Sequence, residues 1–392
     1  MIYNNFQNIE LSRLGFGTMR LPMNSDGTIN EDLTQQMVDY AIESGVNYFD
    51  TAFPYHNGYS EIVIGKALKK YPRESYYLAT KYPGHQIAKS YNPKEIFEKQ
   101  LEKCNVEYFD FYLLHNVNEG SFKVYTDEKW GIIPYFIEQK RIGRIKHLGF
   151  STHADLPCLK EFLELYKNDM EFCQIQLNYL DASLQHAKEK YDLITSYNIP
   201  VWVMEPLRGG KLANLDMPYV NKLKSFNQND SIASWAFKYL LQFENVKMIL
   251  SGMSAMEQVK DNINTFNNYK VITKEQNDYL IELGKELSKG VPCTKCGYCL
   301  AGCPKHLDIP KLLATYNDIK YTFSFTPTMY LENLTDDKKP SNCIACHKCS
   351  RTCPQKMDIP SVLKDLSEIY DKNPKWKDIC IERERKAKEL NN

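Results

Sequence analysis

The chain has 392 residues, with Lys plus Arg and Asp plus Glu balanced at 49 each. A net charge near zero gives no electrostatic reason to expect nucleic acid or an anionic membrane as partner. The length exceeds what one small core needs and predicts a large and a small domain.

Hydrophobic residues make up 43% of the chain, enough for a well-packed interior. The first residues, MIYNNFQNIE, carry neither a basic n-region nor an apolar h-region. No run of about 18 apolar residues exists, so no membrane span is expected, and the protein is expected to be cytoplasmic.

Short runs rich in β-branched and aromatic residues then recur in chain order. They are LSRLGFGTM, VNYFDTA, YYLATKY, DFYLLHN, HLGFSTH, CQIQLNY, PVWVMEP and VKMILSG. Between them lie DLTQQMVDYAIESG, SEIVIGKALKKY, PKEIFEKQLEKC and ASWAFKYLLQF, whose apolar residues fall at three- and four-residue intervals. That spacing is helical. Eight strands alternating with helices predict a (β/α)8 TIM barrel over residues 1–288. A doubly wound open sheet competes, weakened because no GxGxxG turn follows the first strand.

Chemistry in such a barrel sits at the C-terminal ends of the strands. Those ends offer Asp50, Lys81 and His115, with Tyr55 in the loop beyond Asp50. A Lys ending an apolar strand needs a partner, because an unpaired buried ammonium is costly, and Asp50 is the candidate. Singly, each has a structural explanation: Asp50 a cap, Tyr55 a rim aromatic, His115 a satisfied core histidine. Their coincidence at three successive strand mouths favours function.

DTAFPY, ATKYP, FYLLH and GRIKHLGFS resemble the aldo-keto reductases, (β/α)8 barrels that reduce carbonyls with a nicotinamide cofactor. The resemblance runs from GFGTMRLP at residues 15–22 to SGMSAMEQVKDN at 251–262. It implies that Tyr55 is the acid protonating the carbonyl oxygen, that Lys81 lowers the Tyr55 pKa, that Asp50 holds Lys81, and that His115 positions the substrate oxygen. It also implies nicotinamide contacts at Ser151 and Gln174, Met204 in place of the usual stacking aromatic, and an adenine contact at Asn262. Gly252 and Gln258 stand where NADPH-specific members often place cations, so NADP, NAD and a flavin all stay open.

Of the twelve cysteines, Cys104, Cys158, Cys173 and Cys380 are scattered and read as small buried apolar residues. The other eight form two runs, CTKCGYCLAGCP from 293 and CIACHKCSRTCP from 343, each spaced C-x2-C-x2-C-x3-C-P. In two-cluster ferredoxins the fourth cysteine ligates the other cluster. This predicts two [4Fe-4S] clusters, one on Cys293, Cys296, Cys299 and Cys353, the other on Cys343, Cys346, Cys349 and Cys303. Zinc is the alternative, although zinc ribbons use paired cysteines.

CPKHLDIPKLL and CPQKMDIPSVL repeat beyond the ligands, with Asp308 and Asp358 as helix starts. His306 and His347 read as loop residues, and the insert TYNDIKYTFSF as helix packed on the barrel. Residues 289–392 are thus expected to be a small, mainly helical dicluster ferredoxin-like domain with a helical tail. The whole resembles the aldo-keto reductase branch carrying such a domain, a likeness that EPLRGGKLA at 205–213 also fits.

Nicotinamides deliver two electrons and such clusters one, and exchange between them usually needs a flavin. Three readings follow. NAD(P)H reduces a small-molecule carbonyl while the clusters stabilise the fold or dock a redox partner protein; or the clusters feed a flavin in an electron-transfer reductase; or the protein is a non-catalytic electron relay. The four-residue constellation favours the first.

Overall fold

The computed structural model describes residues 1–288, 290, 291, 293, 297–321, 325–353 and 355–389. An antiparallel hairpin, β1 (Tyr3–Phe6) and β2 (Ile9–Ser12), precedes the barrel. The barrel strands are β3 (Leu14–Gly17), β4 (Tyr48–Asp50), β5 (Tyr77–Tyr82), β6 (Phe109–Val117) and β7 (Ile145–Thr152). They continue with β8 (Cys173–Gln176), β9 (Val201–Met204) and β10 (Val246–Gly252). They pair in parallel in chain order, and β10 closes on β3. Closure removes the open-sheet alternative.

LSRLGFGTM, expected as one strand, is divided at Arg13 between β2 and β3. The Asn47 side chain accepts the Ser12 N–H at 2.8 Å, and Ser12 Oγ accepts the Asn47 N–H at 3.1 Å. These side-chain bonds stand where a ladder partner would, so the chain turns there from hairpin into barrel. The hairpin then plugs the barrel. Phe6 and Leu11 pack with the interior residues Tyr48, Phe111, Phe172 and Trp202, and the Phe6 and Trp202 rings meet edge to face at 5.0 Å. Full burial of such a side chain contributes about 1.5–3 kcal/mol. At Gly149 in β7 a Cβ would stand 2.5 Å from the Phe172 carbonyl oxygen, so only glycine lets β7 lie this close.

The outer helices start as their sequences predict. Asn92 caps Pro93–Cys104 by accepting the Glu95 N–H, and Asn105, left-handed at φ 54°, ends it. Phe97 and Leu101 on its inner face join the core between helices and sheet.

A second core, with Leu307, Leu312, Leu313, Ile359, Leu363 and Leu366, organises the C-terminal region. The internal repeat is also a backbone repeat. Gly297 and His347 take positive φ (77° and 56°), as do His306 and Lys356 (49° and 53°). The helices Ile309–Tyr321 and Ile359–Lys372 each begin directly after Asp308 or Asp358, with proline in the first turn.

Helices Ile309–Tyr321 and Phe325–Asn333 take up the described part of the insert and pack on the barrel; residues 322–324 of TYNDIKYTFSF lie outside the described residues. Buried Arg208, on the loop after β9, donates to Asp181 of the barrel and to Asp318 of the first helix, and Gln185 donates to Asp318 at 2.9 Å. Asn116 Nδ2 approaches Met329 Sδ at 3.3 Å. The EPLRGGKLA stretch is therefore a clamp between the two units. Cys104, Cys173 and Cys380 are buried as expected, whereas Cys158 is only half-buried. Among the described residues, no helix is long and apolar enough to cross a membrane.

Candidate active site

Parallel pairing sets Asp50 of β4 beside Ala79 of β5, and Lys81 of β5 beside Leu113 of β6. Asp50, Lys81 and His115 therefore reach the same end of the barrel, and the loop after β4 brings Tyr55 over them. Lys81 is 0% exposed and Asp50 3%. The Lys81 ammonium donates to Asp50 Oδ1 at 2.5 Å and to the Thr51 carbonyl at 2.7 Å, and it lies 5.0 Å from the centroid of the Tyr55 ring. Two of its donors are thus bound by the protein, one of them to a carboxylate, the pairing that a fully buried ammonium requires.

Burial pulls the Lys81 pKa down, but Asp50 and then Tyr55 outweigh it and hold the ammonium above its ordinary value. Burial raises the Asp50 carboxyl while Lys81 pulls it back, and the short contact keeps the pair ionised. Tyr55 departs from expectation. Lys81 does lower its pKa, yet burial is the larger effect and the net shift is upward. The hydroxyl is a retained proton, not an incipient phenolate.

The His115 ring stands 5.9 Å from the Tyr55 ring, nearly perpendicular to it. Burial, then His85 and Lys81, push its pKa well below the ordinary value, so the imidazole is neutral, and its buried Nδ1 has no hydrogen-bond partner among the described residues.

A cleft of about 250 Å³ opens beside Tyr55, lined by Gln174, Met204, Gly252, Gln258 and Asn262. Gln174 Nε2 points to Met204 Sδ at 3.5 Å, while its buried Oε1 has no partner among the described residues. An amide N–H, such as that of a carboxamide, satisfies such an acceptor. Ser151 pairs with Gln174 across β7 and β8; its Oγ accepts the Asn116 N–H at 2.8 Å and keeps its own proton to donate. Asn262 Nδ2 donates to Ser251 Oγ at 3.0 Å.

Cys303 of the first run lines one small cavity with Cys343, Cys346 and Cys349 of the second, walled by Leu307 and Leu363. The short helices Tyr298–Ala301 and Lys348–Thr352 pack together there, which carries Cys303 across. Four cysteines lining one apolar cavity are the donor type that an iron–sulfur cluster uses. Of the other set, Cys299 is buried, Cys293 and Cys353 are half-buried, and Cys296 lies outside the described residues. His306 lies in a loop, and His347 caps Lys348–Thr352, 3.5 Å from Asp358.

The model of the aldo/keto reductase family matches residues 13–285. The chain belongs to the aldo/keto reductase family. A second model, of a 4Fe-4S dicluster domain, matches residues 292–359. The chain is 27% identical over 306 residues to an NADH-specific methylglyoxal reductase of Escherichia coli, covering 66% of this chain and 91% of that one. Two solved structures share the fold. The aldo-keto reductase AKR11C1 of Bacillus halodurans, in its holo form, has TM-score 0.57 and 24% identity, covering 72% of this chain and 96% of that one. An aldo/keto reductase of Klebsiella pneumoniae, in complex with NADPH, has TM-score 0.59 and 17% identity, covering 72% and 95%. The protein is thus an oxidoreductase of the aldo/keto reductase family with an iron–sulfur domain.

In this aldo/keto reductase the sequence reading missed several groups at the site. Arg20 lines the cleft and pairs with Glu205 at 2.8 Å, and Asp261 lines it too. Arg20 lies three residues past the first barrel strand and was legible as a residue of the loop at that strand's end. His85, four residues past Lys81, lies between His115 (4.3 Å, tilted) and Trp376 (5.7 Å, stacked). No local signal in the sequence links Trp376 to the barrel mouth.

Proposed function

We propose that the protein reduces the carbonyl group of a small aldehyde or ketone at the barrel mouth, using NADH. The observation that supports this best is the Lys81 ammonium held by Asp50 and Thr51 beside the Tyr55 ring at the edge of the cleft. A nicotinamide bound in the cleft would supply hydride to the carbonyl carbon. Gln174 and Ser151 are suited to hold its carboxamide, Met204 to pack on its ring, and Asn262 to meet the adenine.

As negative charge develops on the carbonyl oxygen, the Tyr55 hydroxyl gives up its proton there. The raised Tyr55 pKa keeps that proton in place at neutral pH, and Lys81 stabilises the phenolate as it forms. The neutral His115 can hydrogen-bond the same oxygen and fix its direction of approach without competing as a proton source.

The preference for NADH rests on charge. The cleft's one cation, Arg20, is taken by Glu205, and Asp261 adds a further negative group near Gly252 and Gln258. A 2′-phosphate would meet repulsion there, whereas a 2′-hydroxyl can donate to a carboxylate. The unit 1–288 carries this chemistry. The unit 289–392 would hold two [4Fe-4S] clusters on the crossed cysteine sets and, in a reducing cytoplasm, stabilise the helices that cover the mouth. No electron exchange with the nicotinamide is needed in this reading.

Methylglyoxal, a dicarbonyl, is a suitable test substrate. Tyr55→Phe should lower its NADH-dependent turnover by about 10²–10⁴-fold while cluster absorbance stays intact. Turnover near that of the unmodified protein would overturn the assignment.

A further inference from the structure

The helix Trp376–Glu389 lies beyond both family matches, which end at 285 and 359, and it packs against the segment Tyr55–Gly58 that carries the proposed acid. Trp376 stacks on His85, with ring planes 25° apart, and Cys380 lines the same cavity as Ile87. The helix thereby walls a cavity of about 220 Å³ against Phe53, Pro54, Tyr82 and Pro83, and Arg383 lines it from the helix side.

Arg383 is unusual among the charges here. Its guanidinium lies over the rings of Trp376 and Phe325, at 5.2 and 5.8 Å from their centroids. Among the described residues no carboxylate pairs with it. The neighbouring acids are otherwise engaged or turned outward: Glu95 is bound to Lys99 at 2.8 Å, Glu382 pairs with Arg385 and Lys386, and Glu384 is exposed.

Stacking uses the faces of a guanidinium and leaves its five in-plane N–H donors to be satisfied at the edge. A half-buried guanidinium in that state is suited to a ligand. Its charge is close enough to bear on Tyr55, His115 and His85, and the two histidines are themselves uncharged.

We infer that Arg383 is a substrate-anchoring residue, which holds a carboxylate carried by the carbonyl substrate while the carbonyl lies between Tyr55 and His115. This rests on the carbonyl-reductase reading above. A carboxylate fits better than a phosphate because, of the two cations that line the cavity among the described residues, Lys99 is committed to Glu95 and Arg383 has no carboxylate partner, while Lys81 is committed to Asp50 and the histidines are neutral. One charge matches a monoanion. A planar guanidinium edge also receives a carboxylate in two parallel bonds.

The test uses the full chain with its clusters loaded and compares 4-carboxybenzaldehyde with its methyl ester as NADH-dependent substrates. The unmodified protein should favour the acid in kcat/KM by about 10- to 100-fold, the effect of a hydrogen-bonded charge. Arg383→Gln should bring that ratio toward one, chiefly by raising KM for the acid, and Arg383→Lys should restore part of it. A ratio near or below one in the unmodified protein, or one that survives Arg383→Gln, overturns the inference. If Arg383→Gln does not fold, the comparison rests on Arg383→Lys, where an undiminished ratio overturns it. If neither aldehyde is consumed, the carbonyl-reductase reading has failed by itself. Calorimetry with 4-carboxybenzaldehyde then decides the anchor: binding weakened by either variant supports it, and no binding, or binding unaffected by both variants, overturns it.

Discussion

Replacing Lys81 with methionine removes the ammonium while nearly preserving the volume of the side chain, so it tests what the charge does. Asp50 would be left buried with its Oδ1 bond lost and its Oδ2 already without a partner. Burial, no longer opposed by Lys81, would drive the Asp50 carboxyl further up until it takes a proton. Breaking a buried pair costs about 3–5 kcal/mol. Protonation of Asp50 and packing of the methionine recover part of that, so Lys81→Met should lose of order 2–3 kcal/mol against denaturant, followed by the fluorescence of buried Trp202 and Trp235. Asp50→Asn added to Lys81→Met should cost less than the sum of the two single changes, because no charge is orphaned.

The same change should slow carbonyl turnover by about 10²–10⁴-fold, the usual range for impairing a proton transfer. It should also leave a mark that misfolding would not. Lys81 lowers the Tyr55 pKa against burial, so removing it raises that pKa. Reduction needs the protonated hydroxyl, and its alkaline decline should therefore move to higher pH even as the rate falls. Turnover within threefold of normal, or an alkaline limb moved downward, would refute the role given to the pair.

Two further outcomes follow from the cysteines and the histidines. The double change Cys303→Ala with Cys343→Ala should spare one cluster, about four irons by analysis, whereas Cys299→Ala with Cys303→Ala should remove both; the reverse pattern would refute crossed ligation. Burial pushes His85 and His153 down to about 3 from an ordinary 6.5, so the unfolded chain binds more protons than the folded one between those values. Each should cost up to about 1.4 kcal/mol of stability per pH unit as pH falls from 6.5 toward 3, and His153→Gln should flatten that slope in acid denaturation; an unchanged slope would refute the contribution assigned to it.

What was legible in the sequence had a short physical range. The run cysteines are the proposed ligands, and three of each proposed set are neighbours in sequence, so their spacing alone suggests the chemistry. Asp50, Lys81 and His115 could be aligned because a parallel barrel sends every strand's C-terminal end to the same face, whatever the helices between them do. LSRLGFGTM misled because the break at Arg13 is made by Asn47, a residue from a later strand's approach. The Tyr55 shift was misread because proximity to Lys81 follows from strand register, whereas the depth of burial that outweighs it does not.

The tail shows the limit most plainly. The helical tail expected from the sequence is the helix Trp376–Glu389, and within WKDICIERERKAKE Glu382 and Arg385 pair along one exposed face. Arg383 sits between them in sequence but on another side of the helix, lying over Trp376 and Phe325. Residues two apart on a helix do not share a face. Charge alternation along the sequence therefore hides an inward guanidinium, and only docking of the helix on the Tyr55 loop, more than three hundred residues upstream, reveals what Arg383 faces.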